Sequence, residues 1–389
     1  MTKGLRHLLI VLVVLGVVSG LYGQPRPGSM VVSNSDMQAA VYYWTAERRA
    51  TAIPRDMWVQ GFNASQRSPT PPAPAVSVPG ALPTLSVPEA AEIGSTPASS
   101  GDPYWTQDRR DQAIPRDMGV SVSSQNAEVP LGFTYAYPFT RYTVLPLLYW
   151  NNAAKKYPYT TIGKLFLTLS GVNYVCSASV LRPHLLLTAR HCVYDYPTST
   201  WATNVIFDPG YNSTPNPVLG GDWVAYSLAT WTGNAPDYQY DIGMIITYNK
   251  NRTGCAPTTG NPQIESYTGY LGWSYGGDYS QRAWDPFGYP AASPFTGKVM
   301  VQCETSTGAL NQFGNTNTVE VGCDMTGGCS GGPWIRTLVP GAAGSYNYAN
   351  GVNSFKFTSP DRQLAMNSPQ FLEGNFYNLL TFAMGLPCP

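Results

Sequence analysis

From about residue 139 onward, short apolar runs are separated at close intervals by Gly, Asn, Pro and Asp. That texture restricts the fold to many short strands joined by turns. Lys164–Ser170, Tyr174–Leu181, Leu185–Ala189, Asn204–Phe207, Trp223–Thr230, Ile242–Tyr248, Thr318–Cys323 and Asn350–Phe357 each suit a strand, and Gln370–Met384 reads as one closing helix. The segment 139–389 is long enough for one all-β barrel or sandwich domain. The 38 Gly, 34 Pro and 26 Tyr beside only 12% charged residues agree with this, since soluble domains carry roughly 25% charge. Lys plus Arg and Asp plus Glu both number 23. No bulk field therefore exists to draw in nucleic acid or an anionic membrane.

The N-terminus differs in kind. A basic start holding Lys3, Arg6 and His7 leads into the apolar run Leu8–Val18 and then small residues, with a cut expected after Gly20 or Gly23. This is the pattern of a secretory signal peptide over residues 1–23. The run is short for a spanning helix, which needs about 20 apolar residues, so no membrane role beyond the leader is expected. Export permits disulfides. All seven cysteines (Cys176, Cys192, Cys255, Cys303, Cys323, Cys329 and Cys388) lie within 139–389, and the odd count leaves one outside intrachain pairs.

Residues 24–138 hold no cysteine, and Pro69–Pro97 has eight prolines in 29 residues, the composition of an extended linker. A repeat brackets that linker. Tyr43–Met57 recurs as Tyr104–Met118, with eleven of fifteen positions identical at an offset of 61. Thr45 and Thr106 suit caps of short helical turns that stop at Pro54 and Pro115. The repeat reads either as a duplicated surface segment or as a docking segment whose Trp and Ile anchor on the downstream domain.

Only His184 and His191 remain once the leader is set aside. His184 follows Pro183 and is expected at the surface. His191 closes an apolar strand in Leu186-Leu187-Thr188-Ala189-Arg190-His191-Cys192, and a hairpin would bring Cys192 beside Cys176. Downstream, Gly327-Gly328-Cys329-Ser330-Gly331-Gly332-Pro333 sets a serine among four glycines. Glycines allow a tight turn that aims successive N–H groups into one concavity. An acyl-transfer site needs that combination of exposed hydroxyl and preorganised donors. There is no CxxC or HExxH spacing and no Gly-rich phosphate loop, so no metal and no cofactor is expected.

Thr188-Ala189-Arg190-His191-Cys192, Tyr240-Asp241-Ile242-Gly243-Met244 and Gly328-Cys329-Ser330-Gly331-Gly332-Pro333 together resemble the trypsin/chymotrypsin-like serine peptidases, over about Thr160 to Met384. Gly288-Tyr289-Pro290, Asp324-Met325-Thr326-Gly327-Gly328 and Gly351-Val352-Asn353-Ser354 look most like the secreted microbial members, and the upstream Trp-Thr-x-x-Arg segments look like their pro-regions. The resemblance implies two six-stranded-type antiparallel Greek-key barrels with a C-terminal helix over 139–389, preceded by a largely irregular N-terminal pro-region over 24–138. Catalysis would fall to Ser330 as nucleophile, His191 as base and Asp241 as its orienting carboxylate, with the N–H groups of Gly328 and Ser330 as oxyanion donors. It further implies a Cys176–Cys192 bridge and a possible Cys303–Cys323 bridge flanking the primary pocket.

Asp324, six residues before Ser330, stands where trypsin-like members place the pocket aspartate, which favours Arg or Lys at P1. The same position is acidic in some glutamate-cleaving relatives, so basic, acidic and apolar or broad P1 readings all stay open. Ser354 resembles the edge segment that pairs with substrate backbone. Cys329 occupies the place of the aspartate that pairs with a new N-terminus in most animal members. Control by a pro-region acting as an intramolecular inhibitor is expected instead, with the mature chain starting between Arg116 and Arg141. The expected protein is a secreted monomeric endopeptidase acting on proteins or peptides. The alternatives are an inactive secreted binding protein on the same fold, or a wall-attachment role for the N-terminal half.

Overall fold

The computed structural model describes residues 26–44, 48, 52–59, 75–84, 117–118, 139–143, 156–232, 238–277, 279, 282–305, 308–310, 317–357 and 364–388. The expected leader lies outside them, as do Thr45, Thr106 and most of the Pro-rich stretch.

Six short strands and one helix come first: β1 (Arg26–Val31), α1 (Asn34–Tyr43), β2 (Ile53–Pro54), β3 (Asp56–Val59), β4 (Val76–Val78), β5 (Asp117–Met118) and β6 (Phe139–Thr143). Then come β7 (Ile162–Leu169), β8 (Val172–Arg182), β9 (Leu185–Thr188), the helical turn α2 (Arg190–Val193), a β10–β11 hairpin (Tyr194–Asp195, Thr200–Trp201), β12 (Thr203–Pro209), β13 (Trp223–Thr232) and β14 (Gly243–Thr247). Pairing of β13 with β14 closes β12-β7-β8-β9-β14-β13 into a six-stranded antiparallel barrel.

Every residue of β7 is buried, and strand periodicity explains how. Leu165, Leu167 and Leu169 join Cys176, Ala178 and Val180 of β8 in one cluster. Ile162 and Phe166, on the opposite face, join a second cluster with Val175, Met37, Ala40 and Trp44. Alternate side chains leave a strand on opposite faces, so a strand covered on both sides reads as a continuous apolar run.

The remaining strands are β15 (Gly272–Tyr275), β16 (Asp285–Gly288), β17 (Val301–Thr305), β18 (Gly308–Leu310), β19 (Thr318–Gly322), β20 (Pro333–Arg336), β21 (Tyr348–Val352), β22 (Phe355–Phe357) and β23 (Ala365–Pro369). They build two sheets, in the orders β4-β15-β21-β20-β16-β17-β6 and β18-β19-β23-β22-β3-β5. Trp284, Val321, Met325, Trp334 and Met366 form a core cluster there. The chain is mostly β, consistent with the expected double barrel. The closing helix is split into a π-helical turn over Glu373–Tyr377 and α3 (Asn378–Met384). Strands β15 to β18, β20 and β23 escaped the sequence reading. Each is five residues or fewer, and five of the six contain Gly or Pro, so inter-strand pairing rather than local pattern makes them strands.

The described parts of the N-terminal region lie on this body. Strand β1 pairs antiparallel with β13, β4 antiparallel with β15, β2 parallel with β8 and β3 parallel with β22. Trp44 is fully buried, stacks at an angle on Phe166 with ring centroids 6.4 Å apart, and donates its indole N–H to the Asn204 carbonyl. The docking reading of the repeat therefore fits the first copy. The described part of the second copy is β5, which pairs parallel with β3, placing Asp117 opposite Asp56 and Met118 opposite Met57. Equivalent positions of the two copies thus lie side by side.

Cysteines pair as 176–192, 303–323 and 255–388. Cys329 is the seventh, buried and outside these bridges.

Trp44→Ala removes a fully buried indole, a change worth about 3–5 kcal/mol. Hydrogen exchange should show α1 amides losing protection while those of β7 and β8 keep theirs.

Candidate active site

Strand β9 delivers His191 to its position. Its apolar residues end at Thr188, the chain turns through α2, and the Cys176–Cys192 bridge ties that turn to β8. Asp241 stands just before β14, whose Gly243 pairs with Thr188. A Cβ at Gly243 would lie 2.8 Å from the Ala189 carbonyl oxygen, so the two strand ends meet only because that side chain is missing. Their closeness presents the Asp241 carboxylate to His191. The His191 backbone N–H donates to Asp241 Oδ1 at 2.9 Å, and its Nδ1 lies 2.9 Å from Oδ2 and 3.1 Å from Oδ1. A carboxylate facing Nδ1 holds the proton there and leaves Nε2 as the basic nitrogen. The Ser354 hydroxyl donates to Asp241 Oδ2 at 2.5 Å. Burial pulls the Asp241 carboxyl upward, yet the His191 ring and the hydrogen bonds from His191 and Ser354 outweigh it and hold the group below the usual aspartate range.

The serine turn is pinned from both sides. Gly328 and Gly331 take φ of +94° and +82°. A Cβ on Gly331 would fall 2.1 Å from Thr188 Oγ1 and 2.5 Å from the Ser177 carbonyl oxygen. The Ser177 N–H donates to the Ser330 carbonyl at 2.7 Å, and the Ser177 hydroxyl donates to the Gly328 carbonyl at 2.9 Å. From the other side, Asn353 Nδ2 donates to the Cys329 carbonyl at 3.0 Å, and the Gly331 N–H donates to the Asn353 carbonyl at 2.8 Å. Cys192 Sγ lies 3.6 Å from the Ser330 carbonyl oxygen. Ser330 is thereby brought against the α2 turn that carries His191.

Asp324 is half-buried between Cys323 and Met325, whose carbonyls accept from Lys356 Nζ at 3.2 and 2.8 Å. The Ser354 side chain is turned to Asp241, while the strand edge beginning at Phe355 pairs with β3. Cys329 packs against Gly288, where an added Cβ would lie 2.7 Å from its own. His184 is half-buried rather than at the surface, with Nδ1 3.0 Å from Gln263 Nε2, and burial beside Arg182 lowers its pKa. Among the described residues one cluster has metal-ligand spacing, Cys176, His191 and Cys192. Its two sulfurs are bonded to each other, so it offers a single imidazole.

Four residues at the site were not singled out from sequence: Ser177, Asn353, Lys356 and Arg55. Ser177 and Lys356 left a trace, as polar residues inside buried strand runs. Arg55 left only its place in the repeat. Its N–H donates to the Val175 carbonyl at 2.7 Å, its carbonyl oxygen lies 3.4 Å from His191 Nε2, and its guanidinium meets Asp195 at 2.8 Å. Beneath this segment His191, Asp241 and Ser330 are 4%, 2% and 1% exposed.

No family model and no curated protein matches the chain. Among solved structures, it is 30% identical to protease Anisep from Arthrobacter nicotinovorans, covering 58% of this chain and 97% of that one, with a TM-score of 0.46. It is 26% identical to the thermostable serine protease AL20 from an extremophilic microorganism (57% and 98% covered, TM-score 0.48) and 19% identical to a Glu endopeptidase (63% and 97%, 0.47). With 30% identity along nearly the whole Anisep chain, the chain belongs to the trypsin/chymotrypsin-like serine proteases.

Proposed function

We propose that the chain is a secreted serine endopeptidase made as a latent precursor. The carrying observation is the His191–Asp241 pair, with Nδ1 2.9 Å from the carboxylate, set beside a serine turn pressed onto the same strand end. Ser330 attacks the scissile carbonyl while His191 Nε2 takes its proton, later returning it to the leaving amine. Asp241 fixes the ring and stabilises the imidazolium. The N–H groups of Gly328 and Ser330 receive the developing oxyanion. An acyl-enzyme forms on Ser330 and water releases it, regenerating the hydroxyl.

Latency is supported by the Arg55 carbonyl oxygen 3.4 Å from His191 Nε2 and by the near-complete burial of all three side chains. In this reading residues 1–23 leave on export, 24–138 inhibit, and 139–389 form the catalytic unit. Strand β6 runs along β17 from Thr305 opposite Phe139 to Val301 opposite Thr143. A cut after Arg116 but before Phe139 keeps that strand with the second barrel.

Ser330→Ala should lower turnover by about 10⁶-fold and Asp241→Asn by about 10⁴-fold, with melting curves unchanged. Steady-state assays of the processed protein check both, and retained turnover in Ser330→Ala would remove the assignment. A serine-directed phosphonylating reagent should label Ser330 in the processed protein and only slowly in the full chain. Arg55→Ala should speed labelling of the full chain; equal rates in both would refute latency, and no label in the processed protein would favour the inactive binding protein.

A further inference from the structure

Ser177, next to the bridged Cys176 on β8, touches both residues whose N–H groups receive the oxyanion in the reaction above. Its N–H donates to the Ser330 carbonyl at 2.7 Å, and its hydroxyl donates to the Gly328 carbonyl at 2.9 Å. The hydroxyl oxygen also accepts the Tyr289 N–H at 2.9 Å, and the Ser177 carbonyl accepts the Thr188 hydroxyl at 2.9 Å. A backbone N–H can only donate, so the bond from Tyr289 fixes which way the serine proton points, toward Gly328. The side chain is 0% exposed, out of reach of any substrate.

The backbone at Gly328 needs an outside hold. Its N–H is aimed by the peptide planes on either side of it. In the preceding plane, the Gly327 carbonyl accepts the Ala291 N–H at 2.6 Å and the Ala292 N–H at 3.3 Å. Across a trans peptide the C=O and N–H point opposite ways, so the Gly328 N–H is turned away from Ala291 and Ala292. The following plane is held through its own carbonyl by the Ser177 hydroxyl. Gly328 sits at φ +94°, and glycine moves between backbone regions with little steric resistance. Hydrogen bonds from neighbouring segments, rather than its own sterics, therefore keep these planes in place. An oxyanion donor is effective because it is aimed before charge develops, and a plane free to rock loses that advantage while the substrate-binding surfaces stay as they were.

Resting on the serine-peptidase reading above, we infer that the Ser177 hydroxyl is a positioning group for the oxyanion hole, aiming the Gly328 N–H from the opposite barrel. It acts through Gly328 and touches neither substrate nor reacting atoms. Because its neighbour Cys176 bridges to the turn that carries His191, one strand registers both the base and the donor.

The test uses the processed protein. Ser177→Ala should lower kcat by about ten- to a hundred-fold, less than outright loss of a donor, with KM held within about three-fold. Ser177→Thr, which keeps the hydroxyl, should recover most of what Ser177→Val, of the same shape, loses. Carbon NMR of a peptidyl trifluoromethyl ketone added to Ser330 reads the hole directly. Its hemiketal oxyanion should take up a proton at higher pH in Ser177→Ala and Ser177→Val than in the wild type and Ser177→Thr. A merely structural role would lower the melting temperature and leave that titration unmoved. An unmoved titration in Ser177→Ala, or a kcat within about two-fold of wild type, would therefore overturn the inference while leaving turnover intact. If Ser177→Ala does not fold, the Ser177→Thr and Ser177→Val pair decides by the same titration. Absence of both turnover and Ser330 labelling in the wild type is a different result, which removes the catalytic reading and this inference together.

Discussion

The close approach between the serine turn and the end of β9 sets the geometry of everything around it. Position 331 has no room for a side chain, since Thr188 Oγ1 and the Ser177 carbonyl already occupy the volume a Cβ would take. The backbone there also sits at φ +82°, a region that glycine enters without steric cost. Gly243 plays the matching part on the other strand, letting β14 bring Asp241 to the same corner. Two absent side chains thus draw residues 191, 241 and 330, far apart in sequence, into one corner between the barrels. The Cys176–Cys192 bridge and the Ser177 hydrogen bonds then hold that corner.

Across this corner lies a segment from the N-terminal region, and its attachment combines three kinds of force. The Arg55 N–H extends the edge of β8, and β3 adds a strand to β22. Such strand addition supplies main-chain hydrogen bonds whatever the side chains are. The Arg55–Asp195 pair is buried on both sides, so removing either partner strands a charge away from water, a loss of about 3–5 kcal/mol. That makes the segment's sequence matter as well as its backbone. Its counterpart in the second copy meets it in register through β5.

Charge is sparse in this chain at 12%, and part of the buried share lies where distant segments meet. Arg55, Asp195, Asp241 and Lys356 are all under 9% exposed. Each is tied to a hydrogen-bonding partner from a distant part of the chain. Buried charges are tolerated only with such partners, which makes them markers of register between segments as much as of chemistry.

The sequence by itself determined the β character of the chain and the order of the His191, Asp241 and Ser330 motifs. Alternating burial, glycine-rich turns and cysteine spacing are local signals, and each strand of the first barrel carries enough of them to be read alone. The Cys176–Cys192 pairing was legible for the same reason, because one hairpin spans it. Only the tertiary structure decided that Cys255 meets Cys388, that Ser354 turns its hydroxyl to Asp241, and that Lys356 reaches the carbonyls flanking Asp324. It alone decided where the first repeat lies. Those contacts join segments separated by 31 residues or more, and a contact of that span depends on how whole sheets pack rather than on any pattern within a window of sequence.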